Sequence, residues 1–413
     1  MPIPSDLQLY TNILKTLYPS DSAPELIYPD SPLVALVPKD ENWDGEEYAV
    51  SNRYSASAGF SHSFPNAQNN KSAPSWARFR VTDIQDYATF SVPGRVLRAT
   101  KSNRGSLVRA LKAAGDAAFY KMKRRLCSEI YGNGGGAKGQ IASGQGTATL
   151  TLANVDDVKN FEVGDVLVSS VDDGTGGAGA STNTGTIGAI DRNSGTITVD
   201  SGVWHTDFDD DDYLFVEGDY GQGLAGLAGW IPAADPTTGD DWFGYDRSVD
   251  PTREAGIRHT TTATSMRSAL LDFARVLMRN GAAPTHYLMP PEAWTALIQE
   301  LQANSVTYDK LMAQGARGEV AEIGFKAVDF MTSHGMVKLL PDIDCPADTV
   351  FALKLDTWKL ASRGPVPHWD EDDGQRMLRE SNADGIEGRI KYYGNVVCEA
   401  PGQNGRCNVA TAY

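Results

Sequence analysis

The residues best equipped for chemistry in this 413-residue chain are two glycine-rich loops, two acidic runs, six histidines and four cysteines. Gly221-Gln222-Gly223-Leu224-Ala225-Gly226 has the GxGxxG spacing that lets a backbone approach a pyrophosphate, and it follows the strand-like YLFVE. A dinucleotide site also needs a helix opening at once, so that its N-terminus receives the phosphates. Gly229, Pro232 and the turn-rich 233–244 predict no such helix. Gly132 to Gly139 imitates a phosphate loop, but Ala137 replaces the glycine before Lys138, and Gly139 stands where Ser or Thr would hold magnesium. The run Asp207, Asp209, Asp210, Asp211 and Asp212 offers oxygen ligands without the central glycine and distal glutamate of a calcium loop, and Asp370 to Asp373 reads the same way. His62, His205, His259, His286, His334 and His368 are isolated, with no HExxH and no nucleophile elbow. Cys127, Cys345, Cys398 and Cys407 have no metal-ligand spacing and read as reduced thiols, with Cys398 and Cys407 potential neighbours across a turn. The expectation is a protein without catalytic, cofactor-binding or metal-binding residues.

Charge is more informative. The net charge is -16, yet it is unevenly spread. Between 147 and 218 fourteen acids face two bases, Lys159 and Arg192, whereas between 101 and 131 eight bases face Asp116 and Glu129. Such a basic stretch can meet a polyanion while an acidic one stays solvated. No run of apolar residues is long enough to span a bilayer, and the start MPIPSDLQLY has no signal-peptide pattern, so neither membrane insertion nor standard secretion is expected.

The elements that must position these groups can be read by periodicity. After a short helical pattern at Leu7 to Leu17, prolines at 19, 24, 29, 32 and 38 impose extended chain that cannot bury itself. It reads as an arm packing on its own core or on a neighbour. Tyr48 to about Ala99 alternates like a long hairpin with a polar tip at 65–74, and needs a partner surface. Leu107, Leu111, Ala114, Ala118, Met122, Leu126 and Ile130 recur at helical spacing and predict a helix over 105–131. Residues 147–218 switch to short strands and turns, a small β module between glycine-rich tethers. Further helices are expected over 264–280 and from Pro291 to about Leu301, then alternating strands, giving an α+β host interrupted by a β insertion.

This order of parts resembles the major capsid protein family of tailed bacteriophages, a fold shared with encapsulin shells and the herpesvirus capsid floor. The segments that carry the likeness are SALLDFARVLMRNGAAPTHYLMPPEAWTALIQEL at 268–301, IGFKAVDFMTSHGMVKLLPD at 323–342, TVFALKLDTWKLASRGPVPHWDEDDGQRML at 349–378 and EGRIKYYGNVVCEAPGQNGRCNV at 387–409. The resemblance implies an N-terminal arm (1–44), an extended E-loop hairpin (45–103), a P-domain spine helix with its linker (104–146), an inserted acidic β domain (147–218), a return linker and A-domain (219–365), and P-domain C-terminal strands (366–413). The β domain departs from the simplest family members.

By the same likeness the chain is expected to build an icosahedral head from hexamers and pentamers around double-stranded DNA, in the virion, after assembly in the host cytoplasm. Its expected partners are a portal, a separate scaffolding protein and decoration proteins. Arg104, Arg109, Lys112, Lys121, Arg124 and Arg125 become an inward face for non-specific DNA contact, and Asn66, Asn69 and Lys71 contacts at the hairpin tip. Alternative readings are an encapsulin-type compartment and a decoration or tail protein.

Overall fold

The computed structural model describes residues 31–56, 59–99, 110–303, 328–371, 374–380 and 383–412. Three large hydrophobic cores organise them, beside a small cluster at Val92 and Val96. The first surrounds the long strand Gly385–Cys398, which pairs antiparallel with Ile84–Pro93 over ten positions and also with Trp358–Ser362, His368–Trp369 and Met377–Arg379. The helix Ala110–Glu129 lays Met122, Leu126 and, just past its end, Ile130 on this core, as the spacing predicts. Within the arm, Pro32–Leu36 forms a short helix whose Leu33 is buried in the same core, and the Ser31 hydroxyl donates to Asp342. The described end of the arm therefore packs on its own subunit; residues 1–30 lie outside the described residues.

The second core lies between a six-stranded mixed sheet and the helices Met266–Arg279 and Pro291–Ala303. Ser265 caps the first helix, and Glu300 of the second accepts from the Met266 and Arg267 amides, so the second helix satisfies orphan donors at the start of the first. Asn404, fully buried, joins the two sheets: its Oδ1 accepts from Lys354 N and Trp358 Nε1, and its Nδ2 donates to Thr357 Oγ1 and Ala400 O.

The third core fills a closed six-stranded barrel. Strict alternation in Thr149–Leu152 turns Leu150 and Leu152 inward with Ile187, Ile197 and Leu214, while Trp204 packs on Phe208 at 4.9 Å between ring centroids.

Three boundaries differ from the sequence reading. The barrel begins at Gly139–Ser143, ahead of residue 147, because closure needs a sixth strand to which Ile141 supplies the only large apolar side chain. The hairpin ends at Thr82, and Ile84–Pro93 leaves it for the central sheet; the alternating pattern runs on through both, so only the partner, some 300 residues away, separates them. The end of the chain does not stay in the first sheet: Gly405–Asn408 pairs with Ile257–Thr260 and Thr349–Leu353 in the second.

Candidate assembly surface and spine-helix junction

The hairpin Glu47–Ser55 and Ser75–Thr82 is divided by its surroundings. Its base turns Val50, Ala77, Phe79 and Val81 inward, and Phe79 meets Trp230 at 5.2 Å and Tyr245 at 5.4 Å, edge to face. The partner surface expected for a long hairpin is thus supplied, at the base, by residues 227–245 of the same chain. This cover reaches as far as Tyr54, whose ring lies 6.4 Å from that of Tyr245 and whose carbonyl accepts from Arg253. The tip carries the short helix Phe64–Asn69, and Asn66, Asn69 and Lys71 are all exposed there. So are three aromatics: Phe60 is 82% exposed, Phe64 74% and Trp76 59%. Isolated apolar side chains on a surface are ordinary, whereas three large exposed aromatics within one hairpin are a concentration of apolar surface.

The basic helix has a different fate from the one its sequence implies. Arg104 and Arg109 lie outside the described residues. Lys112 and Lys121 are exposed, and Lys121 pairs with Asp165 of the barrel. Arg124 and Arg125 turn into the molecule. Both Arg124 terminal nitrogens fork onto Asp344, which is fully shielded from solvent, and Arg125 reaches Glu129 at 2.9 Å, Asp86 at 3.1 Å and Asp219 at 2.9 Å. Arg124 and Arg125, expected on an inward cationic face, thus meet their counter-charges inside the subunit. Three of the acids that claim them, Asp86, Asp219 and Asp344, come from distant segments, and only Glu129, one helical turn on, is visible as a partner by spacing.

A cleft of about 750 Å³ separates this helix from the barrel. Six cations line it: Lys121, Arg124, Arg125, Lys138, Lys159 and Arg192. Five of them form ion pairs with Asp165, Asp344, Asp86, Glu129, Asp219 and Glu162, and Lys159 donates to the Ile343 carbonyl, so these cations hold the helix, the barrel and the neighbouring loop together.

No protein-family model and no curated protein matches the sequence. Solved structures do match the fold. The capsid asymmetric unit of cyanophage A-1(L) superposes with a TM-score of 0.52 at 11% identity, over 95% of this chain and 96% of that one. The chain has the major capsid fold of tailed phages. Weaker superpositions are found with the capsid of a native GTA particle (TM-score 0.47, 10% identity, 96% and 95% covered) and the holo-SrpI encapsulin of Synechococcus elongatus PCC 7942 (TM-score 0.47, 9% identity, 100% and 98% covered).

Within this capsid fold the motif-like residues have structural work. Gly223 and Gly226 bring the segment leaving the barrel against the one leading in: a Cβ at Gly223 would stand 2.5 Å from the Gly136 nitrogen, and one at Gly226 2.2 Å from the Ile130 carbonyl. Only a single helical turn, Leu227–Trp230, follows them. Lys138 of the phosphate-loop lookalike is buried, its ammonium 2.6 Å from Glu129. In the acidic run, Asp207 accepts from Ser181 and Asn183, and Asp212 from the Asp209 amide, so part of that run pins turns at one end of the barrel.

Of the histidines, His205 faces Asp207 at 3.0 Å on the surface, His259 stacks on Phe273, and burial pushes His286 down to about 4. All four cysteines are buried and unpaired, and burial raises every thiol pKa, opposite to the shift a nucleophile needs. Among the described residues no cluster of His, Cys, Asp or Glu is arranged to hold a metal ion, and no helix is long and apolar enough to cross a membrane.

Proposed function

We propose that this chain is a shell-building major capsid protein, assembling as hexamers and pentamers into an icosahedral head that encloses double-stranded DNA. The observation that carries the reading is the hairpin: anchored at its base by Phe79, Trp230 and Tyr245, it presents three exposed aromatics on a fold matched by a phage capsid subunit over nearly its full length. Placing that tip on an adjacent subunit would bury the aromatics, and repeating the contact around a closed shell turns weak pairwise binding into a stable container. Asn66, Asn69 and Lys71 flank the aromatics and are the proposed polar contacts of this joint.

The proposed DNA contact is sequence-independent and rests on fewer cations than the sequence offers, because Arg124 and Arg125 are neutralised within the subunit; Lys112, with Arg104 and Arg109, remains. A portal, a separate scaffolding protein and decoration proteins complete the proposed partners, with assembly in the host cytoplasm and residence in the virion. Negative-stain microscopy of the purified full chain tests the class: icosahedral particles are expected, and monomers under every assembly condition refute it. Particles from the native source should contain nuclease-protected genomic DNA; protein cargo in its place would reassign the shell to the encapsulin type.

A further inference from the structure

The barrel is joined to the rest of the subunit through a neck with an unbalanced buried charge. Its two tethers run side by side, with Gly221 N donating to Gly135 O and Gly223 N to Gly134 O. Lys138 sits where the chain passes into the first barrel strand, and Asp219 just after the last. Both turn to one network. Arg125 lies at its centre, 2.9 Å from Asp219, 2.9 Å from Glu129 and 3.1 Å from Asp86, and Lys138 meets Glu129 at 2.6 Å. Tyr392, directly opposite Asp86 in the sheet register and fully buried, also faces it. Three carboxylates thus share two cations, and all five groups are largely removed from water. One negative charge is left over, in a place where an uncompensated charge is costly.

We propose that this network is a proton-operated latch on the inserted barrel: a proton taken up by one of the two carboxyls that share Arg125, Asp86 or Asp219, balances the neck and closes it, and its release to solvent loosens the barrel against the spine helix. Of the three acids, Glu129 is the one that keeps its charge: burial works against it, but Lys138 and Arg125 beside it prevail and hold its pKa below the usual range. Burial dominates at the other two, raising Asp86 to about 6 against the pull of Arg125, and raising Asp219 against Arg125 and Lys138. A carboxyl with a folded pKa above its unfolded 3.8 stabilises the closed neck fully below that lower value and loses the contribution as pH rises through about 6. The barrel is therefore latched in mild acid and freed near neutrality.

Hydrogen–deuterium exchange of the full chain reads the neck directly, at the amides of residues 132–136 and 219–226. If opening returns Asp86 to water, the opening equilibrium should rise about tenfold between pH 5 and pH 7.5, after correction for intrinsic exchange. Asp86→Asn, which carries no charge to release, should keep the neck protected at both pH values, while barrel-core amides such as Ile197 stay unchanged. Asp219→Asn is the second variant, should the first fail to fold, and should flatten the same dependence. Equal neck protection at both pH values in the wild type, or a tenfold change surviving in a folded Asp86→Asn or Asp219→Asn chain, overturns the latch.

Discussion

Replacing Arg124 with Met separates two roles for the basic helix. In the structure the Arg124 side chain is 10% exposed and its partner Asp344 0%, and two charge-assisted hydrogen bonds join the helix to the loop after Gly335–Pro341 of the second sheet. Truncating the cation leaves a carboxylate in the interior without its counter-charge. Breaking a buried pair in this way costs about 3–5 kcal/mol, much of it the penalty on the surviving ion. Urea unfolding followed by tryptophan fluorescence should show a midpoint lowered by roughly 1–2 M, taking a slope of about 2–3 kcal/mol per molar. Arg124→Met combined with Asp344→Leu removes both charges and should recover most of the loss, because the pair itself is worth little over an apolar replacement. A DNA-facing arginine would behave oppositely: stability would hold, and the salt dependence of DNA binding would fall by about one ion. A loss below about 1 kcal/mol for the single variant, or a double variant as unstable as the single, would refute the assignment of Arg124 to the subunit interior.

Other consequences can be checked on the same protein. Phe60→Ser with Phe64→Ser should leave subunit stability within about 0.5 kcal/mol, since both rings are exposed, yet abolish or slow particle formation measured by sedimentation. Gly223→Ala should destabilise the neck by about 1–3 kcal/mol in thermal unfolding, because the added methyl meets backbone at Gly136 that cannot yield like a side chain. Glu254 is buried under the hairpin base, and that burial, opposed by Asn52, lifts its pKa to about 7. Its folded pKa exceeds the unfolded 4.5, so its contribution is complete below pH 4.5 and lost as pH rises through 7. Glu254→Gln should accordingly match wild type near pH 4 and exceed it by about 3 kcal/mol at pH 8, read from denaturant midpoints.

The parts that local periodicity controls are legible in the sequence. Leu111 to Ile130 spells a helix with an apolar stripe, Met266 to Leu277 another, and the alternation of Thr149–Leu152 or Ser75–Thr82 spells strands, because burial on one face imposes a period of 3.6 or 2 on the sequence itself. The failure of GxGxxG was equally local, since a glycine and a proline close behind it forbid the helix a phosphate needs. Tertiary structure alone decided what lies across from each element. That Ile84–Pro93 leaves the hairpin for a strand 300 residues later, that Gly139–Ser143 closes the barrel, and that Gly405–Asn408 crosses to the second sheet depend on pairings that no nearby residue records. The same holds for charge. A row of lysines and arginines looks identical in sequence whether it faces water, a polyanion or Asp344, because the energy of an ion is set by the distance of its counter-charge and the dielectric between them, and both are properties of the folded chain.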